Sequence, residues 1–211
     1  MGRKLIGLSV GFLLTMALAY FLFPISYAGI IHWFAPYLGP WLRFFFMYLF
    51  IIFAHPLTFP TIIAIWVGIG LVTGLFIRTI GGTIGISIVI FGLTFLMLIF
   101  GLLAMIFPLV LEGSIGSLDF LAILSNIPPD VSLFDVIQAP VIGPIIESIT
   151  GGLGGLFGGG TTDPSALLGL LQSTVINSIV IPPIANFVIF VIAGVIGAII
   201  GRMILPPHRN L

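Results

Sequence analysis

Three histidines, six acids and a few hydroxyl residues set in long apolar runs carry most of the chemistry this sequence could perform. His32 and His55 flank an aromatic-rich stretch, and neutral imidazoles are common axial ligands of haem in membranes. No further pattern supports a haem site, so both read as interfacial polar residues. His208 lies in a short tail and is assigned no chemistry. Asp119, Asp130, Asp135, Glu147 and Asp163 offer the oxygen ligands that calcium prefers. Their spacings of 11, 5, 12 and 16 match no loop motif, and three of them already suit helix-capping or first-turn roles. With no cysteine in the chain, neither a zinc–thiolate site nor an iron–sulfur cluster can be built. There is no His-Glu-x-x-His pair and no Gly-x-Ser-x-Gly elbow. The expectation is a non-enzyme without catalytic residues, metal or cofactor.

Transport coupled to protons or ions calls for an ionisable group inside a membrane span. The long apolar runs contain none between their flanking charges. Thr15, Thr73, Ser87 and Thr94 are the main polar side chains at depth, and each could bond to its own helix backbone. Coupled transport is disfavoured, which leaves an uncoupled pore as the competing activity.

Two helix ends match. Gly70-x-x-x-Gly74-x-x-x-Arg78 closes one apolar run and Gly194-x-x-x-Ala198-x-x-x-Arg202 closes another, while Gly197-x-x-x-Gly201 adds a further row. Spacing of four puts small residues in a line on one helix face. Between apolar helices in lipid, such lines let backbones approach and gain dispersion contacts. Gly70, Gly74, Gly194, Gly197, Ala198 and Gly201 are therefore the candidate helix-packing residues. The shared spacing also suggests a parallel internal duplication.

The elements that must position these residues follow from composition. Of 211 residues, 60% are hydrophobic and 6% charged, against about 25% charged in soluble domains. Six bases cancel six acids, so no field favours a nucleic-acid partner. The chain reads as an all-α polytopic membrane protein, its first partner the lipid bilayer. Four runs meet the requirement of about 20 apolar residues: Leu5–Phe23, Thr61–Ile77, Ile84–Leu111 and Ile184–Gly201. Trp41–His55 is ambiguous. Fifteen of the 27 aromatic residues lie between Tyr20 and Phe59, and Trp and Tyr favour the headgroup level. That stretch is expected to be an interfacial or re-entrant helix, with a fifth span as the alternative.

Charge sets the orientation. Every acid lies between the third and fourth runs, and Arg78, Arg202 and Arg209 lie on the opposite side. The positive-inside rule then places the C-terminus in the cytoplasm and residues 112–183 outside, whether there are four spans or five. The side of the N-terminus depends on that count. In the four-span arrangement Arg43 is the one base left outside. Three regions result: 1–111 with three spans and the aromatic segment 24–59, the external segment 112–183, and 184–211 with the last span and tail.

The external segment is apolar for a loop. Short helices are expected at Leu118–Leu124, after a Ser132/Asp135 capping box, and from Asp163-Pro164 to about Ile179. In the last of these, Leu167, Leu170, Leu171 and Val175 form one row, a candidate interaction element against the bilayer surface, the aromatic segment or another chain. The glycine-rich stretch Gly151–Gly160 lacks the Lys-Ser/Thr ending of a phosphate loop and reads as a flexible linker. Together these features point to a non-catalytic scaffold or accessory subunit of an oligomeric membrane assembly, formed with copies of itself or with other membrane subunits. A small permease or pore capped by the external segment is the alternative.

Overall fold

The structure is a computed structural model that describes residues 2–111, 128–129, 131–132, 134, 139–143 and 176–204. All regular structure among them is helical: α1 (Gly2–Phe21), α2 (Tyr27–Leu38), α3 (Trp41–Phe53), α4 (Pro60–Ile77), α5 (Ile80–Leu111), a π-helical turn (Ile176–Val180) and α6 (Ile181–Ile204). Four of these, α1, α4, α5 and α6, are long and apolar enough to cross a membrane. At 1.5 Å per residue they rise about 27 to 48 Å, against a hydrocarbon core of about 30 Å. By the same measure the 13 residues of α3 rise only about 20 Å. It is a shorter apolar helix in addition to the four.

Local chemistry sets the boundaries. Pro60 occupies the first turn of α4, where a missing N–H costs nothing. The helix stops at Arg78, which adopts a left-handed φ of 59° and donates its N–H to the Gly74 carbonyl at 2.9 Å. α5 starts at Ile80, four residues before the apolar run in which the sequence placed it. The Gly81-Gly82 pair looks like a turn in the sequence but is helical. α6 begins at Ile181, so Pro182 and Pro183 lie inside its first turn rather than ahead of it. The aromatic segment is two helices instead of one. α2 precedes α3 and ends at Gly39, whose φ of 79° breaks the helix.

The chain divides into two compact units. The first comprises Met1–Leu22, Ala54–Leu96 and Pro182–Leu211, and holds α1, α4, α6 and the first half of α5. Its core is built on Trp66, Ile62, Ile65, Ile69, Ile90 and Phe190, all fully buried. α1 packs along α4. The second unit comprises Phe23–Phe53 and Met97–Ile181, with α2 packed on α3 and Tyr27, Leu42, Tyr48, Phe50, Ile51 and Ile52 in its core.

α5 shows how a membrane helix sorts its faces. Thr83, Ser87, Ile90, Thr94, Leu98, Gly101 and Met105 are buried, at steps of three and four. Ile84, Ile88, Leu96, Leu103 and Phe107 are exposed between them. The small and polar side chains turn inward together with Ile90, Leu98 and Met105, while the exposed face is apolar throughout, because lipid accepts such side chains and rejects hydroxyls.

Candidate functional site

In the first unit the two matching helix ends meet each other. α4 and α6 pack in parallel at a constant register of 124 residues. Trp66 stands against Phe190, Gly70 against Gly194, Gly74 against Ala198, and Arg78 beside Arg202. A Cβ on Gly70 would lie 2.6 Å from the Phe190 carbonyl oxygen and 2.9 Å from the Gly194 amide nitrogen. One on Gly74 would strike the Gly194 carbonyl, and one on Gly197 would strike the Leu71 carbonyl. On Gly201 it would lie 2.9 Å from the Leu75 oxygen. In each case the obstacle is backbone, which cannot rotate aside, so glycine is required for this approach. At the end of the pair the Arg202 Nε donates to the Arg78 carbonyl at 2.5 Å. All six candidate packing residues thus lie in a single contact within one chain.

A third row belongs to the same core. Gly7, Gly11, Thr15 and Ala19 are the buried residues of α1, each four apart. A Cβ on Gly7 would lie 2.5 Å from Ile77 Cγ1, and one on Gly11 would lie 2.5 Å from Thr73 Oγ1 and Ile90 Cδ1. The regular step is present in the sequence, where it continues from Arg3 through Gly7, Gly11 and Thr15 to Ala19.

Among the described residues, Thr15, Thr73, Thr83, Ser87, Thr94 and Asn186 are fully buried polar side chains. Thr15 and Thr94 each donate to the carbonyl four residues back, at 2.8 Å. Asn186 donates to the Ala54 carbonyl at 3.1 Å. Thr73 and Ser87 do not bond their own backbones as the sequence suggested. Thr73 turns its hydroxyl toward Gly11 and Ser87 turns its own toward Gly194, and these hydroxyls, with that of Thr83, lack a hydrogen-bond partner in the structure. Above this level Trp66, Phe91, Phe187 and Phe190 form a continuous aromatic cluster, with ring centroids 5.1 to 5.3 Å apart.

The second unit is organised by Tyr27. Its ring stacks on Phe23 at 4.9 Å and tilts against Phe46 at 5.3 Å. Its hydroxyl donates to the Pro140 carbonyl. Burial pushes the phenol well above its ordinary pKa, because ionisation in an apolar surround lacks solvation, so the group stays a neutral donor. Pro140 belongs to a tight turn, in which Gly143 donates to Ala139 at 2.8 Å and Val141 has a φ of 70°. A Cβ on Gly29 would make ordinary contact with Val131 at 3.5 Å. Val131 and Pro140 of the 112–183 region therefore pack on α2.

Beside this core lies an open cleft of about 710 Å³, walled by Phe23, Ile25, Ala28 and Ile31 and carrying His32 and Arg43 as its ionisable groups. His55 sits elsewhere, in the turn before α4, where its Nδ1 accepts from the Leu57 N–H at 3.3 Å and its carbonyl accepts from Phe59 at 2.9 Å. Among the described residues no three metal-ligating side chains converge.

Family models, curated proteins and solved structures offer no match to this chain. Its functional reading rests on its own geometry. The row Leu167, Leu170, Leu171 and Val175, the helix expected at Leu118–Leu124, the Gly151–Gly160 stretch, most of the helix expected after Ser132 and all but the end of the helix expected from Asp163 to about Ile179 lie outside the described residues; that end falls in the π-helical turn Ile176–Val180.

Proposed function

We propose that this chain is a non-catalytic integral membrane subunit, a scaffold or accessory component of an oligomeric membrane assembly. The observation that supports this most is the closed interior of the first unit. Backbones of α4 and α6 touch at Gly70, Gly74 and Gly194, and the Trp66 cluster fills the next level. A solute would find no wide polar route through such packing. The small-residue rows, which in the sequence also suggested contact between chains, are occupied within the chain and add nothing to the case for assembly. That case rests on the greasy external segment, which carries all six acids and many large aliphatics and needs cover.

In this reading Arg78 and the C-terminus face the cytoplasm, and residues 112–183 face outward. The alternative is a small permease or pore, and one observation favours it. Thr73, Thr83 and Ser87 bring three buried hydroxyls without protein partners into one bundle, where a file of water could satisfy them. Purification in mild detergent, followed by mass spectrometry of the proteins that stay bound, tests the choice. The subunit reading expects the same partner in every preparation. Loss of all partners, together with solute flux in proteoliposomes made from the chain alone, would replace it with the permease reading.

A further inference from the structure

The cleft of the second unit joins two kinds of surface that membrane lipids also join. Its walls are apolar, from Phe23, Ile25, Ala28 and Ile31, and Ile25 at 89% exposed is uncovered. Arg43 and His32, both exposed, line the cleft too, and among the described residues its lining contains no acid. Trp33 and Tyr37 also line it, and such amphipathic rings settle at the headgroup level of a bilayer. A volume of about 710 Å³ lies within the range of small-molecule sites, about 300–1,000 Å³. The end of α2 and the start of α3 adjoin across Gly39 and Pro40. The carbonyl end of one helix and the N–H end of the other therefore offset one another, and Arg43 is the arginine of the described lining. Its guanidinium has five donors, so a protein partner does not exhaust it, and its planar fork matches a phosphate.

We propose that this cleft binds one anionic membrane phospholipid, with the phosphodiester against Arg43, the headgroup beside His32, and an acyl chain along Phe23, Ile25 and Ile31. The proposal goes beyond the subunit reading and does not depend on it, since a permease could hold the same lipid. It also gives a role to Arg43, the single base that positive-inside orientation leaves on the outer face of a four-span chain.

The test uses the full-length chain, delipidated in detergent and titrated with phosphatidylglycerol or phosphatidylcholine of the same acyl composition, with bound lipid counted by native mass spectrometry. Both lipids have the phosphodiester, but choline cancels its charge. The first bound lipid should favour phosphatidylglycerol by about fivefold, the effect of one cation near a membrane surface. Arg43→Gln should abolish the preference, Arg43→Lys should retain most of it, and Arg3→Gln should leave it unchanged. Equal binding of the two lipids, or a preference that survives Arg43→Gln, would overturn the proposal. So would displacement of the lipid by millimolar inorganic phosphate, which would mark the cleft as a site for a free anion.

Discussion

Replacing Gly74 by alanine adds one methyl group at the tightest approach among the described glycines. That methyl would collide with the Gly194 carbonyl oxygen and lie 2.7 Å from the Ala198 amide nitrogen. Both are backbone atoms of α6, so relief requires moving a whole helix. Overpacking of this kind costs about 1–3 kcal/mol. Alanine returns up to about 1 kcal/mol through helix propensity. The net expectation for Gly74→Ala is a loss of about 1–2 kcal/mol. Gly68 supplies the control within the same helix, because a Cβ there meets nothing within 4 Å. Gly68→Ala should be neutral or stabilising by up to about 1 kcal/mol. Equilibrium unfolding in mixed detergent, followed by the fluorescence of Trp66, which sits in the affected core, reads both variants. If Gly74→Ala is as stable as the parent, or if Gly68→Ala is the more damaging change, the packing assigned to α4 and α6 is wrong.

Other consequences can be checked separately. Tyr27→Phe removes one of two donors to the buried Pro140 carbonyl, which keeps its bond from the Ile142 N–H at 2.8 Å, so stability should fall by about 0.5–1.5 kcal/mol, with faster hydrogen exchange at Ile142 and Gly143. The chain has no cysteine, so a cysteine pair can be placed without background. A Cβ on Gly201 lies 3.2 Å from Arg78 Cγ, and disulfides need Cβ atoms about 3.5–4.5 Å apart. Oxidising the Arg78→Cys, Gly201→Cys variant should therefore link α4 to α6 within one chain, and a covalent dimer would instead assign the small-residue rows to contact between chains. For orientation, a label at Ser165 should react only from outside and one after Leu211 only from the cytoplasm; reaction of both from the same side would remove α6 as a span.

The sequence makes the spanning helices legible because the demand is coarse. About 20 apolar residues between charges suffice, and α1, α4, α5 and α6 meet it within four residues at each end. Spacing also marks the glycine rows, since a step of four needs no knowledge of the partner. The partner itself is hidden. Gly74 facing Ala198 depends on how two distant helices align, and the Gly7–Ala19 row depends on a neighbour, α4, that local pattern cannot name. α2 was missed because Pro24, Gly29 and Pro36 punctuate it, although a proline within a helix that is packed by Tyr27, Ile30 and Trp33 is tolerated. The cleft could not be read at all. Phe23, His32 and Arg43 share no period, and only the turn through Gly39 folds them onto one surface.

The claim that the chain works as part of an assembly is tested most directly by its intact mass when taken from native membranes into lipid nanodiscs without a detergent step. The account predicts one dominant species whose protein mass exceeds the 22.6 kDa of a single chain, with a fixed ratio of this chain to its partner or to further copies of itself. A dominant species of one chain and lipid alone, unchanged by chemical cross-linking before extraction, would contradict it.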